Sequence, residues 1–140
     1  LYTLDAMTGQ ATLVAALMAD PSDTTLPFAG LAGTSYGVDF NPVPDLGMTL
    51  PSLRVTSNAG ENLRINVNGA NAGRVFTDTA LSIPAGGTPT VVASAYTNND
   101  VDPTTGTALF NIDSGDDSVY QQTNPNGGTL ALVGALGTGT

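Results

Sequence analysis

Two short stretches of the sequence match catalytic triplets, and each lacks what its chemistry requires. Gly33 to Gly37 reads Gly-Thr-Ser-Tyr-Gly, the pattern of a nucleophile elbow, whose serine needs a base to take its proton. The chain has no His and no Lys, and Ser35 leads into a strand pattern instead of a helix. Asp113-Ser114-Gly115 matches the aspartic-protease triplet, but an Asp that leaves a strand commonly hydrogen-bonds its own turn. We therefore predict no catalytic residues and no enzyme activity.

Five aspartates in the last third of the chain are candidate calcium ligands. They are Asp100, Asp102, Asp113, Asp116 and Asp117. Calcium prefers several carboxylate and carbonyl oxygens, but the spacing fits neither an EF-hand loop nor a glycine-rich nonapeptide repeat. A solvated acidic loop is the alternative interpretation. The chain has no His and no Cys, the ligands that transition metals prefer, so we expect no transition-metal site. Calcium is the one cofactor that the sequence allows.

Two arginines and four polar or aromatic residues are candidate binding residues. They are Arg54, Arg64, Tyr96, Asn98, Tyr120 and Gln121. The arginines lie on neighbouring predicted strands, where each could pair with a carboxylate such as Asp39 or Glu61, or present its planar fork to an acidic sugar. The tyrosines and amides could form a surface on which a sugar stacks, or they could cover the core.

The composition limits the partners and the compartment. Twelve acidic residues face three basic ones, all of them Arg, and the net charge of −9 disfavours nucleic acid and anionic lipid. No stretch reaches the length needed to span a membrane, and without Cys there is no disulfide framework. The scarcity of trypsin-type cleavage sites suits an extracellular protein. Because the chain begins in a strand pattern without a signal-peptide layout, we expect a mature product or a fragment.

Period-2 alternation interrupted by Gly, Asn and Asp predicts a single all-β domain over residues 1–140. We expect a two-strand unit at 1–17, a first four-strand set at 31–83 and a second at 89–137. Met18 to Gly30 is predicted to be a loop, and Asn-Gly steps at Asn68 and Asn126 predict tight hairpin turns. Antiparallel four-strand sets at this spacing are typical of propeller blades, so the predicted architecture is a partial or open β-propeller-like meander.

An internal repeat connects the two ends of the chain. Leu1 to Asp5 is similar to Leu109 to Asp113, and Ala11 to Leu17 is similar to Gly127 to Leu136. The strand count of two, four and four leaves the first unit incomplete, with unpaired backbone groups at its edge.

Several motifs together resemble a known family. In order, they are Val38-Asp39-Phe40-Asn41-Pro42, Leu53-Arg54-Val55, Asn62-Leu63-Arg64-Ile65-Asn66, Ala95-Tyr96-Thr97-Asn98, and Gly128-Thr129-Leu130 followed by Val133-Gly134-Ala135-Leu136-Gly137. Over nearly its whole length the chain resembles the secreted bacterial domain-of-unknown-function family numbered four-three-nine-four. The resemblance implies a propeller-like, extracellular bacterial protein, and it brings no assigned activity.

These observations favour a non-enzymatic extracellular structural protein that self-assembles. We expect a homo-oligomer or filament, because the first unit can complete its sheet with strands of another copy. The alternative is a module that binds an extracellular glycan or another polymer. A glycosidase needs only two carboxylates at a suitable separation, but no pair stands out and Glu61 is the sole Glu. We expect no nucleic-acid partner and no membrane insertion.

Overall fold

The chain folds into three antiparallel or largely antiparallel sheets, seen in a computed structural model that describes residues 1–43, 52–98, 100, 102 and 104–138. The sheets have two, five and four strands, which confirms the predicted all-β class. Among these described residues, no helix is long and apolar enough to cross a membrane.

The strands follow one another along the chain with little rearrangement between sequence order and sheet order. Their bounds are β1 (Tyr2–Leu4), β2 (Ala11–Leu13), β3 (Met18–Ala19), β4 (Tyr36–Phe40), β5 (Leu53–Ser57), β6 (Asn62–Ile65), β7 (Arg74–Thr77), β8 (Val91–Tyr96), β9 (Leu109–Asp113), β10 (Ser118–Asn124) and β11 (Thr129–Ala135). The hairpin β1–β2 stands alone, and the two larger sheets have the orders β3-β7-β6-β5-β4 and β11-β10-β9-β8.

The short strand β3 shows that the predicted loop from Met18 to Gly30 was wrong at its start. The two residues of β3 pair in parallel with the first two residues of β7. Gly73 permits this close approach, because its φ is +84° and a Cβ there would lie 2.3 Å from Ala16 O. A two-residue strand shows no alternation, so its sequence carried no signal for the pairing.

The hairpin β1–β2 has the register of β9–β10. The matched cross-strand pairs are Tyr2–Leu13 with Phe110–Gln121, Thr3–Thr12 with Asn111–Tyr120, and Leu4–Ala11 with Ile112–Val119. Leu1 to Asp5 therefore takes the positions of Leu109 to Asp113. In the four-stranded sheet, β9 pairs on its other side with β8, whereas among the described residues the sheet of β1 ends at β1.

The predicted Asn-Gly turns differ from tight two-residue hairpins. Asn68 is extended, with φ −125°, and precedes a 3-10 helix at Gly69–Asn71. Between β10 and β11 the positive φ of +69° falls on Gly128, and a Cβ there would lie 2.3 Å from Ala80 O. The Asn-Gly steps therefore predicted where both turns lie. The conformation of each turn depends on packing against neighbouring backbone, which the sequence pattern does not show.

Both faces of the five-stranded sheet are covered. One face, which we call the apolar face, carries Val55, Leu63, Ile65 and Val75, and Leu17, Phe28, Tyr36 and Leu53 pack against this cluster. The opposite face, which we call the polar face, carries Arg54, Thr56 and Asn62, all at most 1% exposed. It contacts the four-stranded sheet, so polar side chains fill the space between the two sheets.

A glycine sets the distance between the two sheets at β4 and β8. A Cβ on Gly37 would lie 2.5 Å from Ser94 N and from the backbone carbon of Ala93. Only a residue without a side chain lets the two strands come this close.

Candidate functional site

A cleft of about 380 Å³ opens where the five-stranded and four-stranded sheets meet. Three of the predicted binding residues line it: Arg54 from β5, Tyr96 from β8 and Gln121 from β10. Asn98 donates to Gly106 O at 2.9 Å, and Gly106 lines the cleft, so Asn98 supports the rim. Further amide groups come from Asn41, Gln122, Asn124 and Asn126. The lining is rich in hydrogen-bonding groups of neutral charge.

Arg54 forms the floor of this cleft and is 1% exposed. Its Nη1 donates to Asn62 Oδ1 at 2.9 Å and to Asp78 Oδ2 at 2.7 Å. Its Nη2 donates to Asn126 Oδ1 at 2.9 Å, and its Nε donates to Tyr96 Oη at 3.2 Å. The guanidinium therefore connects three parts of the protein around the cleft and is held in one orientation.

Arg64 shares the same carboxylate. Its Nε donates to Asp78 Oδ2 at 2.7 Å and its Nη2 donates to Asp78 Oδ1 at 2.8 Å, a bidentate pairing. The guanidinium carbon lies 5.5 Å from the centre of the Phe76 ring, within the range of a cation–π contact. The two predicted binding arginines thus lie together on one acid, and Arg64 is a structural residue of the polar face.

The two carboxylates named as partners of these arginines bind backbone groups instead. Asp39 Oδ2 accepts from Tyr96 N at 2.6 Å and so ties β4 to β8. Glu61 Oε2 accepts from Gly33 N at 2.9 Å and its Oε1 from Ala32 N at 3.0 Å. The expectation named Asp39 and Glu61, whereas the acid between the arginines is Asp78. Asp78 directly follows β7, which is the neighbour of β6, the strand that carries Arg64. This position in the sequence could have identified Asp78 as the partner of Arg64.

A chain of buried side-chain hydrogen bonds crosses between the sheets behind the cleft. Thr56 Oγ1 and Ser94 Oγ lie 2.6 Å apart, and Ser94 Oγ donates to Asn111 Oδ1 at 2.6 Å. Asn111 Nδ2 donates to Gln122 Oε1 at 3.0 Å, and Gln122 Nε2 donates to Asn62 Oδ1 at 3.2 Å. The chain ends at the Arg54 cluster, so the cleft and the inter-sheet contact are one polar assembly.

The whole chain also matches a family model. The family is described as Domain of unknown function (DUF4394), and the match covers residues 1–140. The chain belongs to this family. No curated protein and no solved structure matches the chain.

In this DUF4394 domain, the Gly-x-Ser-x-Gly stretch joins a loop to a strand. Ser35 N and Thr34 N donate to Asn58 Oδ1 at 3.2 and 2.9 Å, and β4 begins directly after Ser35. The arrangement attaches the loop to the turn between β5 and β6. The residues around Ser35 therefore have the geometry of a glycine-rich approach to a strand.

Asp113 of the second triplet organises its own turn, as an Asp at a strand end is expected to do. Its Oδ1 accepts from Gly115 N at 2.7 Å and its Oδ2 from Thr90 N at 2.8 Å. Asp5 plays a similar part after β1, where its Oδ1 accepts from Met7 N at 2.8 Å and Thr8 N at 3.1 Å. These hydrogen bonds hold the pKa of Asp5 below its usual range.

The five candidate calcium ligands do not lie together. Asp100 and Asp102 belong to the connection before β9, whereas Asp113, Asp116 and Asp117 follow at its other end. A five-residue strand spans about 17 Å, too far for one ion. Asp102 Oδ1 accepts from Thr104 N at 2.9 Å, which lowers its pKa. Within the described ranges, no three acidic side chains are grouped as a metal site.

Tyr120 does not line the cleft. Its side chain packs with Leu81, Val91 and Leu130, and it is 4% exposed. Its hydroxyl donates to Asp116 Oδ2 at 2.5 Å, and this hydrogen bond, together with burial, raises the pKa of Tyr120 to about 12. Tyr120 therefore covers the core, the alternative that the sequence left open.

Proposed function

We propose that this chain is a non-enzymatic, extracellular structural protein that self-assembles through strand pairing at β1. One observation carries the proposal: β9, which has the same register with β10 as β1 has with β2, also pairs with β8, whereas among the described residues β1 pairs with β2 alone. A strand with a free edge can accept a strand of another chain.

At two residues of β1, the backbone N–H faces away from β2. Val14 N donates to Leu1 O at 3.0 Å and Asp5 N donates to Gln10 O at 2.9 Å. Because antiparallel pairs alternate, Thr3 bonds towards β2, while the N–H groups of Tyr2 and Leu4 face away from it. Their counterparts, Phe110 and Ile112, belong to a strand that pairs with β8.

The side chains of the hairpin are also uncovered. Tyr2 is 64% exposed and Leu4 is 69% exposed. Leu13 on β2 is 59% exposed as well. Without any Lys, the chain lacks the charge that most often protects an edge strand. Burial of these groups against added strands would remove a large apolar surface from water.

We further propose that the sheets are propeller-type blades. Successive antiparallel sheets lie next to each other, with β4 of one against β8 of the next and Gly37 at the contact. In this arrangement β1–β2 is part of a preceding blade whose other strands come from another copy. A heterologous contact of this kind produces rings or filaments.

Light scattering on two proline variants tests the proposal. Leu4→Pro removes an outward N–H from β1, while Ala11→Pro removes one that faces away from β1 on the other strand of the hairpin. We expect the unmodified chain and Ala11→Pro to have masses above that of a monomer at micromolar concentration, and Leu4→Pro to be a monomer. A monomeric unmodified chain, or equal masses for both variants, would contradict self-assembly at β1.

The inter-sheet cleft favours a second candidate function, the binding of a glycan. Arg54, Tyr96 and Gln121 line it together, and polar side chains with one aromatic ring suit a polyhydroxylated ligand. A glycan array tests this proposal with Gln121→Ala, and Thr12→Ala on the exposed hairpin is the matched control. Binding that is lost in the first variant alone would support the cleft, and an array without any signal would remove this candidate.

A further inference from the structure

We infer that the inter-sheet cleft selects an uncharged glycan that carries acetamido groups. This inference rests on the proposed glycan-binding function of the cleft, and it names the class of sugar. The cleft measures about 380 Å³. Sites for small ligands usually measure about 300–1,000 Å³, so the cleft has a suitable size. Its preference follows from the hydrogen-bonding groups that the fold leaves unused.

Three asparagine side chains of the cleft have their amide oxygen bound by the protein itself. They are Asn41, Asn124 and Asn126. Asn41 Oδ1 accepts from Val43 N at 3.0 Å. Asn124 Oδ1 accepts from Gly127 N at 3.1 Å. Asn126 Oδ1 accepts from Arg54 Nη2 at 2.9 Å. A backbone N–H or a guanidinium can only donate, so each bond fixes which end of the amide is the oxygen.

The nitrogen ends of the same amides are available to a ligand. Asn124 and Asn126 are exposed, and within the described part of the chain their Nδ2 groups make no hydrogen bond. Asn41 is 8% exposed, and its Nδ2 group is likewise unbonded among the described residues. An amide NH₂ group can donate two hydrogen bonds. The cleft therefore presents several donors in fixed orientations.

Two backbone acceptors of the cleft are already bound within the protein. Pro125 O accepts from Gln122 Nε2 and from Asn62 Nδ2, both at 2.7 Å. Gly106 O accepts from Asn98 Nδ2 at 2.9 Å. The two bonds to Pro125 occupy both lone pairs of its carbonyl oxygen. The cleft therefore offers a ligand more donors than acceptors.

The charges around the cleft favour an uncharged ligand. Among the described residues that line it, Arg54 alone is charged. Its guanidinium is 1% exposed and is paired with Asp78 at 2.7 Å. The net charge of −9 also repels acidic sugars from the protein as a whole. A neutral glycan meets neither obstacle.

An acetamido group suits a site with an excess of donors. A hydroxyl that accepts a hydrogen bond also brings a proton that needs an acceptor of its own. A carbonyl oxygen accepts with two lone pairs and brings no proton. The N–H of the acetamido group can donate to the amide oxygen of Gln121, which lines the cleft. A glycan with acetamido groups therefore matches the cleft better than a glycan with hydroxyls alone.

Calorimetric titration with matched oligosaccharides tests the inference. Oligomers of glucose and of N-acetylglucosamine with the same linkage and length differ only in the hydroxyl or acetamido group on C2. We expect the N-acetylglucosamine oligomer to bind at least about fivefold more tightly, the difference made by one good hydrogen bond. An oligomer of galacturonic acid supplies the acidic comparison, and we expect it to bind more weakly than either.

Asn124→Asp changes one donor and keeps the local structure. The carboxylate can still accept from Gly127 N, but an oxygen takes the place of the NH₂ group. We expect the affinity for the N-acetylglucosamine oligomer to fall at least about tenfold. Asn68→Asp is the matched control, because it adds the same charge at a residue that does not line the cleft. It should leave the affinity unchanged.

The outcomes separate this inference from the proposed glycan binding. Equal affinities for the glucose and N-acetylglucosamine oligomers, or tighter binding of galacturonic acid, would overturn the inference and leave the cleft as a glycan site. Affinity that Asn124→Asp does not lower would overturn it in the same way. No binding of these oligomers, together with a glycan array without any signal, would remove both.

Discussion

The guanidinium of Arg54 and the carboxylate of Asp78 form an ion pair of 2.7 Å, with side chains that are 1% and 8% exposed. The pair lies between two sheets whose facing surfaces are polar. Removing two charges from water is expensive, and attraction in a dry site offsets that cost only with good geometry and further hydrogen bonds. Asn62, Asn126 and Tyr96 supply those bonds to Arg54, so the cluster fixes how one sheet is placed on the other.

Asp78→Asn should destabilise the fold strongly. The substitution keeps the shape but leaves Arg54 and Arg64 without the charge that they share, and breaking a buried pair in this way typically costs about 3–5 kcal/mol. The midpoint of urea denaturation measures the loss. Asp102→Asn is the matched control, since Asp102 is exposed and its Thr104 contact tolerates an amide oxygen. Equal midpoints for the two variants would show that the buried pair contributes nothing.

Gly37→Ala should force β4 and β8 apart. The added Cβ would lie 2.5 Å from two backbone atoms of β8, which cannot move away as a flexible side chain can. Overpacking of this kind typically costs about 1–3 kcal/mol. Gly134→Ala on β11 is the control, because nothing lies within 4 Å of its Cβ. The account predicts a lower melting temperature for the first variant alone, and unchanged melting in both would contradict the close contact.

Stability should fall at high pH through Tyr120. Its pKa rises from the ordinary 10.0 to about 12 in the folded chain, because the Asp116 hydrogen bond and burial disfavour the phenolate. The folded state therefore holds this proton more tightly, and the stabilisation is complete below pH 10 and is lost as the pH rises towards 12. Phenolate absorbance during a pH titration measures it. An ionisation step near pH 12 should be present in the unmodified chain, and Tyr120→Phe should remove it.

The strands of the larger sheets were predictable because their alternation is regular. The alternating stretches Tyr36 to Phe40, Leu53 to Ser57 and Leu109 to Asp113 coincide with β4, β5 and β9. Alternation reports which side chains share a face, and it does so whatever covers that face.

What covers each face was not predictable from alternation. The alternation in Leu63-Arg64-Ile65 indicates that the arginine faces solvent. In the structure, however, the polar face of this sheet is buried against the four-stranded sheet. The partner acid, Asp78, belongs to an irregular segment, and no local pattern connects it to Arg54. Asn126 and Gln122 of the cleft, and Asn62 behind it, were missed for the same reason, because their meeting depends on the contact between the sheets.

The match of Leu1 to Asp5 with Leu109 to Asp113 is visible in the sequence, because both stretches alternate apolar and polar residues and end in Asp. The two stretches also have the same register with the strands that follow them, β2 and β10. Hydrogen-bond register supports the alignment because it fixes each residue to a partner.

Amide hydrogen exchange at Tyr2 and Leu4, measured at several protein concentrations, tests self-assembly at β1 most directly. Their N–H groups face away from β2, so only an added strand protects them, whereas the N–H of Thr3 is bonded within the hairpin at any concentration. The account predicts protection of Tyr2 and Leu4 that rises with concentration and disappears on dilution. Fast exchange of both amides at every concentration, with Thr3 still protected, would contradict it.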